Sequence, residues 1–186
     1  MINSGPTPPL TMPLGTRDHV LGPPDARLVL VEYGDYQCPH CRRAHPIVRQ
    51  IVARFGDQLK FGFRHFPLSK IHPQARLAAQ AAEAAAAQEK FWQMHDLLFR
   101  HQDELELDHL AQYAAVLELD VPRFRDELNA GLYARRVQED VVSGLRSGVN
   151  GTPTFYVHNK RFNGGYELDA LVNALDTPPT PDTPPT

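Results

Sequence analysis

Only two cysteines occur in this chain, and they stand close together in the segment Cys38-Pro39-His40-Cys41. The β-branched run from Arg27 to Gly34 precedes them, and residues with helical apolar spacing follow. Sulfurs at this spacing can close one small disulfide ring. The first would lie at a helix N-terminus, where unpaired backbone N–H groups and the helix dipole stabilise a thiolate. The second lies one turn further in and can attack a mixed disulfide at the first. The segment therefore predicts thiol–disulfide chemistry.

The segments around the cysteines follow a strand–helix–strand order. Arg27 to Gly34 predicts a buried central strand. Pro39 to Phe55 predicts a helix that Gly56 terminates, with Pro46 inside it and expected to kink it. The alternating residues from Leu59 to Phe66 predict a second strand. This order predicts a parallel strand pair joined by a right-handed crossover.

The rest of the chain is predicted to contain a helical stretch followed by a hairpin and a final helix. The region from Pro73 to Ser147 is predicted to be entirely helical, and its alanine-rich first part has high helix propensity. Strand character returns at Thr154 to His158 and in a short return strand, Arg161 to Asn163. An amphipathic helix from Glu167 to Leu175 follows. We therefore predict an α/β fold, with a mixed β-sheet flanked by helices and an inserted all-helical subdomain.

Composition limits the classes of partner. The chain has 186 residues and a formal net charge of −3, with no basic block, so we expect no nucleic acid partner. No window approaches the roughly 20 apolar residues that span a bilayer, so we expect no membrane insertion. The first residues lack the features of a signal peptide. We therefore expect a cytoplasmic monomer, or a periplasmic or exported protein if a leader was removed.

Two separate segments resemble one known family. Val29 to Cys41 resembles the active-site segment of the thioredoxin-fold DsbA family of thiol:disulfide oxidoreductases, and Gly151 to Phe155 is similar to that family's cis-proline segment. The helical stretch between them is similar to the insertion that this family carries. The resemblance extends from Arg27 to Leu175. It implies a thioredoxin-like fold, with protein or small-molecule thiols and disulfides as substrates and a redox partner protein.

The resemblance also implies roles for individual residues. Cys38 would be the exposed nucleophilic thiol and Cys41 the resolving thiol. The cis-proline would be Pro153, which lies beside the disulfide and whose neighbour pairs with a substrate strand. Thr152 would contact the thiolate and tune the reduction potential and the choice of partner.

Three further residues are candidates for the site. Pro39 and His40 lie between the cysteines, where they would pack poorly around an inert disulfide, and the His40 N–H or positive charge would stabilise the thiolate. Glu32 is a carboxylate in a Val/Leu run, which is costly to bury without a purpose. Thioredoxin-like proteins resemble one another in having a buried acid at this position. The implied role of Glu32 is proton acceptor for Cys41, with a pKa raised by desolvation.

Several functions remain open at this level. An oxidase is favoured, but Thr152 differs from the valine of the family's best-known oxidase, so an isomerase or a reductase is an alternative. A non-catalytic thioredoxin-fold metal-binding module is another, with zinc held by Cys38, Cys41, His45 and a remote histidine. A third is a glutathione-dependent enzyme that resembles kappa-class transferases. The leading hypothesis, a thiol–disulfide oxidoreductase, needs no cofactor because the cysteine pair holds both electrons. We also expect no metal.

The predicted domain organisation has four parts. They are a proline-rich N-terminal arm (1–26), a thioredoxin-like domain (27–72 and 148–176), an inserted helical subdomain (73–147) and a disordered Pro/Thr tail (177–186).

Overall fold

A computed structural model describes residues 9–177 of the chain. Within that range it contains five strands, β1 to β5, and seven helices, α1 to α7. The strands are His19–Leu21, Leu28–Gly34, Leu59–His65, Thr154–Val157 and Lys160–Phe162. The helices are Pro39–Phe55, Ala75–Ala86, Phe91–Arg100, Leu107–Val116, Val121–Asn129, Ala134–Arg146 and Leu168–Asp176. Except for its first residue, the predicted Pro/Thr tail lies outside the described residues.

The strands form one mixed sheet in the order β1-β3-β2-β4-β5. Strand β2 lies at its centre, parallel to β3 and antiparallel to β4. The predicted parallel pair and the predicted mixed sheet are therefore confirmed. Almost every residue of β2 is buried, which agrees with its continuous apolar sequence.

Helix α1 has the predicted bounds. Pro39 is its first residue, a position where the missing proline N–H has no intrahelical partner to lose. Gly56 follows it with a φ of 47°, in the left-handed region that glycine adopts without strain. The helix packs one face on the sheet; its buried residues are Cys41, Ala44, Val48, Ile51 and Phe55.

The N-terminal arm is bound to the sheet more firmly than an extended arm implies. It contains β1, a strand without a clear pattern in the sequence, which pairs antiparallel with β3. Arg64 of β3 is fully buried, and its guanidinium donates to Asp18 at 2.8 Å and 3.0 Å. The same guanidinium donates to the Met12 carbonyl at 2.8 Å. The arm therefore supplies the charge and the acceptors that a buried arginine requires.

The region between β3 and β4 is helical, as predicted, and contains α2 to α6. One apolar core runs from the sheet and α1 into α2, α3, α4 and α5 without a break. The division into a thioredoxin-like domain and a subdomain at residues 73–147 stays a prediction. None of the helices within residues 9–177 combines the length and the apolar character that a membrane span requires.

The hairpin after the helical region is shifted by one residue from its predicted position. His158 and Asn159 form the turn, with φ values of 49° and 64°. Two consecutive residues with positive φ match the twist of adjoining strands, so Lys160 already belongs to β5. Helix α7 then begins at Leu168 and packs against α1 and the sheet.

Candidate active site

Cys38 lies where the central strand gives way to α1. It is the N-cap residue of that helix, with an extended backbone (φ −76°, ψ 121°). The preceding turn is closed by Asp35, whose carbonyl accepts from the Cys38 N–H at 3.1 Å and whose carboxylate accepts from the Gln37 N–H at 2.7 Å. The sulfur therefore lies next to the free N–H groups of the first helical turn.

The expectation that Cys38 is exposed is wrong. The residue is only 4% exposed, and Cys41 is completely buried. The cover comes from the segment before β4, since the Cys38 thiol donates to the Thr152 carbonyl at 3.4 Å. Both cysteines are free thiols, so the arrangement described is the dithiol state.

The surroundings of Cys38 favour its thiolate. Its pKa is lowered to about 5, chiefly by a hydrogen bond from the Cys41 thiol, while burial opposes the shift. The Thr152 side chain and the backbone N–H groups of Cys41 and His40 lower the pKa further. Thr152 Oγ1 is buried and unpaired while the thiol is neutral, so it is available to donate once the sulfur is ionised.

Cys41 and Glu32 are shifted in the opposite direction. Burial raises the pKa of Cys41 well above its usual value. The hydrogen bond between the Cys41 and Cys38 thiols and the charge of the nearby Glu32 raise it further. Glu32 is 2% exposed, and burial followed by the Cys38 charge raises its pKa to about 8. Its Oε1 atom has no hydrogen-bond partner. One thiol of the pair is thus an acid, and the other is held neutral beside a protonated carboxyl group.

The His40 ring contacts Arg43 and Tyr166, whereas its backbone N–H is directed to Cys38. His40 is exposed, and its Nδ1 lies 3.0 Å from Nη2 of Arg43 and 3.4 Å from the hydroxyl of Tyr166. Arg43 Nε also donates to that hydroxyl at 3.0 Å. What His40 gives Cys38 is its backbone N–H.

The Thr152–Pro153 segment crosses in front of the cysteines. The peptide bond between these two residues is cis. Pro153 leads directly into β4, which pairs with the central strand. A cavity of about 200 Å³ lies beside Pro153, lined mainly by residues of β4 and β5 and by Tyr166.

Two positioning contacts were not predicted. The buried Gln102 donates to the carbonyls of Tyr36 and Cys38, both at 2.8 Å. His72 contacts the Asp35 carboxylate at 2.8 Å, and that carboxylate also accepts from the Leu68 N–H. Both contacts join residues distant in sequence, and no local pattern marks Gln102 or His72 as partners of this turn.

Within residues 9–177, the cysteine pair and His45 do not form a three-donor group that could hold zinc. Among residues 9–177, the groups of three donor side chains close enough to share a metal ion contain neither Cys38 nor Cys41. His45 belongs to such a group, but its companions are His95 and Asp96. The metal-binding alternative therefore has no support at the cysteine pair.

Comparison with known proteins identifies the family. A family model described as thioredoxin matches residues 15–177. The chain belongs to the thioredoxin family. Both the predicted fold and the resemblance to DsbA-like oxidoreductases are confirmed.

Solved structures of related oxidoreductases superpose closely. A thioredoxin-like oxidoreductase from Silicibacter pomeroyi has a TM-score of 0.77 and 27% identity, covering 87% of this chain and 92% of that one. Wolbachia pipientis alpha-DsbA1 has a TM-score of 0.77 and 25% identity, and the match covers 90% of this chain and 92% of that one. Oxidised BdbD from Bacillus subtilis has a TM-score of 0.79, covering 91% and 94%; at 23% identity it shows the shared fold alone.

Curated relatives with higher identity have a different kind of name. Na(+)/H(+) antiporter NhaA 3 of Salinispora tropica is 46% identical over 159 residues, which are 86% of this chain and 24% of that protein. Na(+)/H(+) antiporter NhaA 1 of Salinispora arenicola is 47% identical over 159 residues, which are again 86% of this chain and 24% of that protein. The chain therefore spans about a quarter of the length of these relatives.

Alkylation of the reduced protein tests the ionisation of Cys38. Because the thiolate is the reactive form, the rate with iodoacetamide should be half-maximal near pH 5 and constant by about pH 7, whereas an ordinary thiol titrates near pH 8.5. Thr152→Val removes one stabilising group and should raise the midpoint. Cys41→Ala removes the largest one and should raise it further. A wild-type midpoint above about pH 7.5 would contradict the described electrostatics.

Proposed function

We propose that this chain is a DsbA-like thiol–disulfide oxidoreductase that passes a Cys38–Cys41 disulfide to protein thiols through a mixed disulfide at Cys38. The observation that supports this most directly is the asymmetry of the pair. Its first thiol is acidic, with a pKa of about 5, and the second has a raised pKa and is wholly buried. A nucleophile and a resolving thiol need this division of properties.

In the oxidising direction, a substrate thiolate attacks Cys38 Sγ of the disulfide. A bond forms between the substrate sulfur and Cys38, the Cys38–Cys41 bond breaks, and its electron pair leaves on Cys41. Because the pKa of Cys41 is raised, this sulfur takes up a proton, which the neutral Glu32 carboxyl can supply.

The second step releases the product. A second substrate thiolate attacks the first substrate sulfur, forms the product disulfide and expels Cys38 with the electron pair. The Thr152 side chain and the N–H groups of the first helical turn stabilise the departing thiolate. A thiol of low pKa leaves faster, so the features that lower the Cys38 pKa also favour release.

The same stabilisation favours the oxidising direction. Whatever stabilises the Cys38 thiolate stabilises the reduced protein, and it therefore makes the disulfide a stronger oxidant. Release in the opposite direction requires Cys41 to lose its proton and attack Cys38. Glu32 is the nearby base for that step, and its raised pKa suits proton exchange near neutral pH.

We infer that Thr152 and Pro153 also position the substrate. Extended peptides bind to folds of this kind through backbone hydrogen bonds, with side chains in adjacent pockets. The cavity beside Pro153 opens at the end of β4 and is therefore a candidate pocket for a substrate side chain. Protein thiols are the proposed substrates, and a second redox protein is the proposed source of the disulfide.

The reduction potential of the Cys38–Cys41 couple tests the direction. Equilibration with glutathione should give a value above about −200 mV, towards the strongly oxidising members of the fold. A value below about −250 mV would instead indicate a reductase. Cys38→Ser should abolish both insulin reduction and oxidation of a dithiol peptide. Activity retained by this variant would show that the nucleophile is assigned wrongly.

Glu32→Gln tests the buried acid through stability. The pKa of Glu32 rises from 4.5 to about 8 on folding, so the folded state holds this proton more tightly than the unfolded state. The associated stability is complete below pH 4.5 and is lost as pH rises through about 8. For the dithiol form, the free energy of urea unfolding of Glu32→Gln relative to wild type should therefore increase by about 2–4 kcal/mol between pH 5 and pH 8.

The same variant tests the proton transfer. Attack by Cys41 on a preformed mixed disulfide should slow by on the order of 100-fold in Glu32→Gln, measured by rapid quenching. Asp57→Asn, which alters an exposed acid beyond α1, should leave the release rate and the pH dependence of stability unchanged. Equal effects in the two variants would remove Glu32 from the mechanism.

We also propose that this redox domain acts together with a sodium/proton antiporter. The supporting observation is that relatives at 42% to 47% identity are named Na(+)/H(+) antiporters, and that the match covers 24% to 26% of their length. Most of each relative therefore lies outside the matched domain. On this proposal the thiol pair sets the redox state of cysteines in, or next to, a membrane transporter.

Trapping of mixed disulfides tests this partner. In Cys41→Ala the resolving thiol is missing, so substrates remain joined to Cys38 and can be recovered from cells and identified by mass spectrometry. We expect an antiporter chain among the trapped membrane proteins. The double variant Cys38→Ala/Cys41→Ala is the control and should trap none. Cys38-dependent trapping of proteins without any membrane protein would argue against the antiporter partner and leave the oxidoreductase proposal intact.

A further inference from the structure

A cluster of two histidines and an aspartate lies between α1 and α3, outside the thiol site. It consists of His45 from α1 and of His95 and Asp96 from α3. Each residue offers one donor atom, and the three atoms lie within 4.8 Å of one another. Imidazole nitrogen and carboxylate oxygen are ligands of zinc, and three protein ligands with one open position form a common zinc site. We propose that His45, His95 and Asp96 bind a zinc ion.

The spacing of two donors fits a metal better than it fits a hydrogen bond. His45 Nε2 and Asp96 Oδ1 are 3.3 Å apart. Zinc–ligand bonds of about 2.0–2.2 Å in a tetrahedral site place neighbouring donors roughly 3.3–3.5 Å apart. A well-formed N–H···O bond is shorter, at about 2.9–3.0 Å. The pair is therefore already spaced as two ligands of one ion.

The third donor is held as zinc-binding histidines usually are. His95 is 3% exposed, and its Nδ1 lies 3.0 Å from the Tyr36 hydroxyl. A polar partner on one ring nitrogen fixes the orientation of a ligating histidine and leaves Nε2 as the nitrogen available to an ion.

The surrounding charges also allow a cation. Asp96 Oδ2 accepts from Arg49 at 2.7 Å, which leaves Oδ1 for the metal. The Arg49 side chain is 57% exposed, so its charge is partly screened by water and can move away. The ring of His45 stacks on Phe99, with centroids 4.9 Å apart, and this contact restricts its rotation.

A second cluster within the described residues serves as a contrast. His65, Glu83 and Asp140 have the same donor types at a similar spacing. Two arginines already occupy that carboxylate, because Arg17 and Arg136 each lie 2.6 Å from Asp140 Oδ1. All three donors there are buried, and the two arginines already supply the positive charge that a metal ion would bring. Only the cluster with His45 has both a free carboxylate oxygen and access from solvent.

Zinc binding at this cluster would reach the thiol site through Tyr36. The Tyr36 hydroxyl contacts His95, and the Tyr36 carbonyl accepts from Gln102, which also holds the Cys38 carbonyl. A metal that fixes His95 would therefore stiffen the turn before Cys38. The binding site itself is independent of the function proposed for the cysteines.

Calorimetric titration of the disulfide form with zinc chloride tests the site, since oxidation removes the two thiolates as competing ligands. We expect one zinc ion per chain and a rise in the midpoint of thermal unfolding, because the ion binds the folded state alone. His45→Ala and Asp96→Asn each remove a ligand and should weaken binding by at least about tenfold. Tyr36→Phe should weaken it by on the order of tenfold through loss of the hydrogen bond to His95.

Matched controls separate this site from weak surface binding. His109→Ala and Asp103→Asn change a partly exposed histidine and an exposed aspartate elsewhere on the helical region and should leave zinc affinity unchanged. Far-ultraviolet circular dichroism establishes that each variant is folded before titration. Absence of binding to the oxidised wild type, or equal affinity in wild type and folded His45→Ala, would overturn the proposal.

Discussion

The antiparallel pairing of β2 with β4 is the constraint on which the site depends. Tyr33 lies opposite Thr154 in that register, and Glu32 lies opposite Phe155. The pairing brings residues from the two halves of the chain together at one end of the central strands. It places the Thr152 carbonyl and side chain against Cys38, which lies 114 positions earlier in sequence. Without it, α1 would present a thiol to solvent with only its own N–H groups to stabilise the thiolate.

Burial and hydrogen bonding shift the pKa values of neighbouring groups in this site in opposite directions. Burial alone raises the pKa of every thiol and carboxyl group, as it does at Cys41 and Glu32. Cys38 escapes this because donors surround it, so that the hydrogen bonds to its sulfur outweigh the loss of hydration. Protons therefore reside on one side of the pair and negative charge on the other. This separation makes a directed exchange of two electrons possible without a cofactor.

Local sequence predicted what local physics determines. The bounds of α1 followed from Pro39 at its start and Gly56 at its end, and the parallel strands followed from their apolar runs. The prediction that Cys38 is exposed was wrong because the segment that covers it is distant in sequence. No local pattern indicates that this segment lies against Cys38. Strand β1 was not predicted because three residues are too few to show an alternating pattern, and the ion pair between Arg64 and Asp18 beside it joins residues distant in sequence. Individual chemical groups were thus predictable, whereas their distant partners were not.

The contact of Gln102 with the active-site turn has a consequence for engineering this scaffold. The amide comes from the helical region inserted between β3 and β4, and it satisfies two main-chain carbonyls at the turn. Excising that region to obtain a minimal redox domain would leave both oxygens without their donor. A miniaturised version would therefore need a substitute amide at the same point, grafted from another part of the chain. The inserted helices are in this sense structural support for the catalytic turn.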